Sequence, residues 1–85
     1  MPLHMNKEKV LITGVAGFIG SNLLDYLLAQ TVWEIDGVDN LATGSIDNIQ
    51  QALEEPRFHF MEQDAFEIQS LLSYSKVFHL AALPR

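Results

Sequence analysis

The strongest constraint on the fold of this chain is a set of three glycines that interrupts an apolar segment. Residues 10–21 read VLITGVAGFIGS, in which Gly14, Gly17 and Gly20 separate a β-like run from an amphipathic segment that begins near Phe18. Glycine at such points allows a tight turn, a close approach of the backbone to a ligand and close packing of the next helix. The pattern predicts a strand, a turn and a helix whose free N–H groups face an anion such as a pyrophosphate.

The glycine spacing, GxxGxxG, is a weak signal by itself, because ordinary helix-entry turns also contain glycines. Two neighbouring features strengthen it. Asp39 ends the next strand-like segment, where an acidic residue can bind the hydroxyls of a ribose. An apolar helical stripe follows the turn and consists of Ile19, Leu23, Leu24, Leu27 and Leu28. Together these features favour dinucleotide binding over a turn without a ligand.

Short apolar runs alternate with helical segments along the chain. The predicted strands are 10–13, 32–38, 57–61 and 76–81, and the predicted helices are 18–30, 45–53 and 66–72. Parallel strands joined by helices make right-handed crossovers, so we expect an α/β fold with a partial, Rossmann-like parallel sheet in the strand order 3-2-1-4. The second helix is expected to be capped by Ser45 and to bury Ile46, Ile49 and Leu53.

Composition excludes several classes of protein. The 85 residues include 48% hydrophobic residues and no cysteine, which indicates a globular domain without disulfides or thiolate metal sites and fits the cytoplasm. Five basic residues against eleven acidic ones argue against nucleic-acid binding. No stretch approaches the roughly 18–20 apolar residues of a membrane span. Residues 1–8 are expected to form a flexible tail before one partial domain at 9–85.

Four motifs, TGVAGFIGSNL, VDNLATGS, EQDAFE and VFHLAAL, follow one another in the order found in extended short-chain dehydrogenases/reductases. The chain resembles the N-terminal half of that family, and within it the nucleotide-sugar epimerases and dehydratases. The resemblance implies NAD as the cofactor and a nucleotide sugar as the substrate of a full-length parent. Asp39 favours NAD over NADP, because a carboxylate would repel a 2′-phosphate.

The resemblance also implies where the cofactor lies. The glycine-rich turn would hold the pyrophosphate, Asp39 would accept the ribose hydroxyls, and Asp64 would accept a hydrogen bond from the adenine amino group. Small residues at the end of the fourth strand would let the backbone approach the nicotinamide ribose. The candidate cofactor-binding residues are Gly14, Gly17, Phe18, Ile19, Gly20, Asp39, Asn40, Ser45, Asp64, Ala65, Leu80, Ala81 and Ala82.

No catalytic or metal-binding residue is predicted. The family's chemistry uses a Tyr-x-x-x-Lys pair, whereas Tyr26 and Tyr74 are followed four residues later by Gln30 and Phe78. His79 lacks a partner at ligand spacing and is interpreted as a hydrogen-bonded core residue. The chain is therefore expected to be a truncated, NAD-binding portion that is not catalytically competent alone.

Two other functions stay open. A partial sheet with an apolar strand at its edge predicts self-association, so the chain can be a non-enzymatic interaction module that forms a homo-oligomer. An adenine-nucleotide sensor is the other alternative, and it would also bind ADP-ribose or AMP.

Overall fold

The computed structural model describes residues 7–64 and 73–81. Its strands are β1 (Lys9–Thr13), β2 (Glu34–Asp39), β3 (Phe58–Glu62) and β4 (Lys76–His79), and its α-helix is α1 (Phe18–Gln30). Two short 3₁₀ helices, Ile46–Ile49 and Ala52–Glu54, lie between β2 and β3. The predicted helix at 66–72 lies outside the described residues.

The four strands form one parallel sheet in the order β3-β2-β1-β4, which confirms the predicted topology. The register places Thr13 beside both Val38 and His79, and it places Asp39 beside Glu62. The carboxyl ends of all four strands therefore lie side by side along one edge of the sheet, called the carboxyl edge below. The candidate site residues that the structure describes lie along this edge.

Helix α1 covers one face of the sheet and forms the core with it. Leu24 and Leu27 are buried against Val10, Ile12 and other residues of this face, and Leu23 and Leu28 pack partly against them. The prediction that Ile19 belongs to the buried stripe is wrong, because its side chain is 69% exposed. Ile19 lies in the first turn of α1, next to the glycine-rich turn, and its side chain is not part of the helix surface that packs on the sheet.

The predicted α-helix at 45–53 is also wrong, since the two 3₁₀ helices occupy this stretch. Ser45 does cap the first of them, and its hydroxyl oxygen accepts a hydrogen bond from Asp47 N at 3.2 Å. The buried residues of this stretch are Ile49, at the end of the first 3₁₀ helix, and Ala52, at the start of the second. Ile46 and Leu53, predicted from α-helical spacing, are 36% and 40% exposed.

Arg57 joins the end of α1 to the start of β3. Its Nη2 donates to the carbonyl of Leu28 at 2.7 Å, and its Nη1 donates to the carbonyls of Thr31 at 2.8 Å and Trp33 at 3.2 Å. The last carbonyls of a helix have no partner within the helix, so the guanidinium supplies a donor to Leu28 in the last turn of α1, and it also binds the carbonyls of Thr31 and Trp33 that follow the helix.

The other face of the sheet carries a hydrogen bond between Tyr74 and Asp36. The Tyr74 hydroxyl donates to Asp36 Oδ2 at 2.6 Å, and Lys9 Nζ lies 5.7 Å from the centre of the Tyr74 ring. Burial, and then the hydrogen bond to Asp36, raise the pKa of Tyr74 from 10.0 to about 12. The folded state therefore favours the protonated phenol more than the unfolded state does.

This shift predicts how stability changes in alkaline solution. The Tyr74 contribution to the free energy of unfolding is fully present below pH 10 and declines as the pH rises toward 12, because only the unfolded chain loses the phenol proton at the lower pH. Urea denaturation across this range should show a smaller decline for Tyr74→Phe than for the wild type. Tyr26→Phe, at a 53% exposed position, is the matched control. Equal declines in wild type and Tyr74→Phe would contradict this prediction.

Within the part of the chain that the structure describes, no helix has the length and apolar character needed to cross a membrane.

Candidate functional site

The turn between β1 and α1 begins at Gly14, which has a φ of +73°. The N–H groups of Gly14 and Val15 both donate to the carbonyl of Val38, at 2.8 and 3.2 Å. A Cβ atom on Gly14 would lie 2.8 Å from Ala81 N. Both the positive φ and the close approach of β4 therefore require glycine at this position.

The other two glycines of the turn differ in what surrounds them. A Cβ atom on Gly20 would overlap the carbonyl oxygen of Gly14, so Gly20 lets α1 pack against the turn. A Cβ atom on Gly17 would meet Gly14 O at 3.3 Å, and this is the only contact within 4 Å that the described residues make beyond its chain neighbours. Packing within the protein thus demands glycine at Gly14 and Gly20 more strongly than at Gly17.

Helix α1 begins at this turn with Gly17 as its N-cap, and no side chain caps it. Its first turn contains no acidic residue. The partial positive charge at the helix N-terminus is therefore not offset by a neighbouring carboxylate in that turn. Phe18 and Ile19 are 80% and 69% exposed, so their side chains border the turn while their backbone begins the helix.

Asp39 ends β2 directly beside the turn, and its residue surface is 8% exposed. Its Oδ2 accepts a hydrogen bond from Ala16 N at 2.9 Å, and its Oδ1 accepts one from Leu41 N at 2.7 Å. A carboxylate has about four lone-pair positions, so each oxygen retains the capacity to accept a second hydrogen bond. Asp39 thus connects the glycine-rich turn with the loop after β2, a role that sequence reasoning did not identify.

The loop after β2 packs on the peptide of Ala16. The Ala16 carbonyl accepts hydrogen bonds from Ser45 N at 3.1 Å and from Asn48 Nδ2 at 2.8 Å. A Cβ atom on Gly44 would lie 2.8 Å from the same carbonyl oxygen. Ser45 therefore contacts the turn through its backbone. Asn48 was missed because its partner is 32 residues away and no local pattern marks the contact.

Asn40 and Asp64 come together from the loops after β2 and β3. Asn40 Nδ2 donates to Asp64 Oδ1 at 2.7 Å, and Asn40 Oδ1 accepts from Ala42 N at 2.9 Å. Leu41, which lies between Asn40 and Ala42, has a φ of +62°, a region that few residues other than glycine adopt. Ala65, also predicted for this part of the site, lies outside the described residues.

The end of β4 is held against β1 by Thr13. The Thr13 Oγ1 accepts hydrogen bonds from Leu80 N at 3.0 Å and Ala81 N at 3.2 Å, and His79 Nδ1 lies 2.8 Å from it. His79 is hydrogen-bonded as predicted, but its placement in the core is wrong, because β4 lies at the edge of the sheet formed by the described residues and His79 is exposed. Ala82 lies outside the described residues.

The described residues contain no group of three or more His, Cys, Asp or Glu residues that could hold a metal ion.

This geometry occurs in a chain whose residues 11–84 match the profile of the family described as GDP-mannose 4,6 dehydratase. The chain belongs to this family. UDP-glucuronic acid decarboxylase 5 of Arabidopsis thaliana is 40% identical over 73 residues, which are 86% of this chain and 21% of that protein. UDP-glucose 4-epimerase of Mycolicibacterium smegmatis is 39% identical over 79 residues, which cover 87% of this chain and 25% of that protein.

Solved structures of this dehydratase and epimerase family have the same fold. UDP-glucuronic acid 4-epimerase from Bacillus cereus, crystallised with NAD, has a TM-score of 0.78 and 35% identity, covering 91% of this chain and 27% of that one. The Bordetella bronchiseptica enzyme WbmF in complex with NADH has a TM-score of 0.71 and 34% identity, covering 89% of this chain and 23% of that one. These matches confirm the predicted membership of the extended nucleotide-sugar epimerases and dehydratases. The chain spans about a fifth to a quarter of the curated relatives named above.

Proposed function

We propose that this chain binds NAD along the carboxyl edge of its sheet and serves as the cofactor-binding part of a nucleotide-sugar epimerase or dehydratase. The observation that carries the proposal is the arrangement of Gly17 and Asp39. Gly17 starts a helix with no side-chain cap, and the Asp39 carboxylate, with acceptor capacity left, is hydrogen-bonded to the same turn through Ala16. Relatives whose structures contain NAD and NADH, at 35% and 34% identity, support the choice of cofactor.

The pyrophosphate would lie over Gly17, where a Cβ atom would meet only Gly14 O among the described residues beyond its chain neighbours. A helix N-terminus carries about half an elementary positive charge, and its first N–H groups have no partner within the helix. Phe18 and Ile19 would contribute those N–H groups. Because this attraction is local, the net charge of −6 does not oppose it.

The adenosine ribose would lie at Asp39, which can accept one further hydrogen bond on each carboxylate oxygen. Asp64, held by Asn40 at 2.7 Å, would accept from the adenine amino group. The other half of the dinucleotide would pass Leu80 and Ala81 at the end of β4. When bound, NAD would supply the acceptor for a hydride from a sugar carbon. The residues of this chain would bind and orient it, and none is assigned to the chemical step.

Asp39→Asn should reduce the preference for NAD over NADP. The neutral amide no longer repels a 2′-phosphate and accepts hydrogen bonds from ribose hydroxyls less well. We expect NAD affinity to fall by about tenfold, which corresponds to about 1.4 kcal/mol, and NADP affinity to fall less. The amide keeps only one of the bonds from Ala16 N and Leu41 N, and this loss is common to both dinucleotides. Fluorescence or calorimetric titration with both dinucleotides measures the ratio of the two affinities. Asp25→Asn, the same charge change at an exposed position of α1, is the matched control.

An unchanged ratio of affinities in Asp39→Asn, with normal binding of NAD, would contradict the role of Asp39. Binding of AMP or ADP-ribose as tight as that of NAD would instead favour an adenine-nucleotide sensor.

The edge strand β4 supports the interaction module as a second candidate function. Val77 and Leu80 are 37% and 41% exposed at this edge, and unpaired apolar edges promote association. Size-exclusion chromatography with light scattering distinguishes the candidates. Stable self-association in a sample that binds none of the nucleotides would favour the module, whereas a monomer that binds NAD would exclude it.

A further inference from the structure

The Thr13 hydroxyl has three hydrogen-bond partners, and counting protons assigns the direction of each bond. The amides of Leu80 and Ala81 can only donate, so the oxygen of Thr13 accepts from both. A hydroxyl has two lone pairs and one proton. Since both lone pairs are used, the proton of Thr13 is donated to His79 Nδ1, 2.8 Å away. In this arrangement Nδ1 carries no proton.

This hydrogen-bonded group links the two sides of the candidate site. Thr13 is 2% exposed and directly precedes Gly14, the first residue of the glycine-rich turn. Leu80 N also donates to the carbonyl of Thr13 at 3.1 Å. The fit at this junction is close, because a Cβ atom on Gly14 would lie only 2.8 Å from Ala81 N. A change in the hydrogen bonds of Thr13 would therefore alter the positions of both the turn and the end of β4.

We propose that His79 is a positioning residue for the dinucleotide site and makes its affinity sensitive to pH. By accepting the Thr13 proton, neutral His79 leaves both lone pairs of that hydroxyl to the amides of Leu80 and Ala81. Protonation of Nδ1 turns the acceptor into a donor, so the hydroxyl must release an amide or lose its bond to the ring. Release falls on the Ala81 amide, because Leu80 N also donates to the Thr13 carbonyl. The contact of Ala81 with the turn then loosens, and dinucleotide binding weakens. This inference rests on the proposed NAD site.

Among the described residues, the row of the sheet that contains Thr13 and His79 holds no other charged or titratable side chain, since its further members are Val38 and Met61. On the same sheet face, β1 carries Lys9, β2 carries Glu34 and Asp36, β3 carries His59, and Tyr74 precedes β4. All of these lie toward the amino ends of the strands relative to the Thr13 and His79 row. At the carboxyl edge, Asp39 belongs to β2 and Asp64 follows β3, so β1 separates both from β4. Neutral Thr13 is the direct partner of the His79 ring.

Amide hydrogen exchange in the ligand-free chain tests the proposed link without any cofactor. Protection of the Ala81 amide, corrected for its intrinsic exchange rate, should fall between pH 8 and pH 5.5 in the wild type, and protection of the Leu80 amide should fall less because it also donates to the Thr13 carbonyl. His79→Asn supplies a permanent acceptor, Oδ1, two bonds from Cβ as Nδ1 is, and its protection should not change with pH. His59→Asn, a histidine on the same sheet face hydrogen-bonded to Glu34, should behave like the wild type.

NAD titrations of the same variants test the consequence for binding. Wild type and His59→Asn should lose about threefold to tenfold in affinity from pH 8 to pH 5.5, as expected for one net hydrogen bond, and His79→Asn should lose much less. Changes with pH in amide exchange or in NAD affinity that are equal in wild type and His79→Asn would overturn the proposal. If no NAD binds at any pH, the proposed function fails, while the exchange data still decide whether His79 controls the end of β4.

Discussion

Gly17→Val is expected to abolish NAD binding while the chain stays folded. The valine side chain would occupy the space over the turn that the pyrophosphate needs, and we expect the affinity to fall at least about a hundredfold, or about 2.7 kcal/mol. The fold should survive, because Gly17 has extended backbone angles, a φ of −76° and a ψ of 173°, that other residues adopt. Its Cβ atom would meet Gly14 O at 3.3 Å, which requires a shift of a few tenths of an ångström.

The measurement is a calorimetric titration with NAD beside a thermal denaturation curve of the same sample. Gly17→Ala is the graded control, since one methyl group should weaken binding less than valine does. Wild-type affinity in a folded Gly17→Val variant would show that the ligand does not lie over this turn.

Gly20→Ala is expected to destabilise the fold itself. Its Cβ atom would overlap the Gly14 carbonyl oxygen and lie 3.0 Å from Val15 Cα, and no side-chain rotation relieves a clash between backbones. Overpacking costs about 1–3 kcal/mol or more, whereas the helix propensity of alanine returns at most about 1 kcal/mol. A net loss of about 2 kcal/mol would lower Tm by roughly 8–16 °C in a domain of this size.

Circular dichroism at increasing temperature measures this shift. Gly17→Ala serves again as the control, because a Cβ atom has more room at position 17 than at position 20. Substitutions at these two glycines, three residues apart, should therefore differ in their main effect: a substitution at Gly17 weakens binding, and one at Gly20 lowers stability. A Tm for Gly20→Ala equal to that of the wild type would contradict the packing of α1 against the turn.

The fold was largely predictable because it depends on periodic patterns. The limits of α1 follow from a glycine turn and an apolar stripe, which are local signals, and the order of the strands follows from right-handed crossovers between parallel strands. The stretch at 45–53 was mistaken for an α-helix because α-helical and 3₁₀ spacing differ by less than one residue per turn. Short segments do not contain enough turns to distinguish them.

The site was predictable in its residue types and less so in its contacts. Asp39 and the glycines are marked by spacing, but the bonds from Asp39 to Ala16 and Leu41 are set by how β2 lies beside the turn. Asn48 and Arg57 bind carbonyl groups of residues 24 to 32 positions away, and a backbone carbonyl leaves no trace in the sequence. His79 was assigned to the core because its neighbours are apolar, although an edge strand exposes it.

A calorimetric titration of the folded wild-type chain with NAD, NADP and ADP-ribose is the direct test of the proposed NAD site. We expect NAD binding with a dissociation constant of about tens of micromolar to one millimolar, and NADP binding weaker by about tenfold or more. No binding of any of the three ligands by a demonstrably folded sample would contradict it, and the glycine-rich turn would then serve only to pack α1 against the sheet.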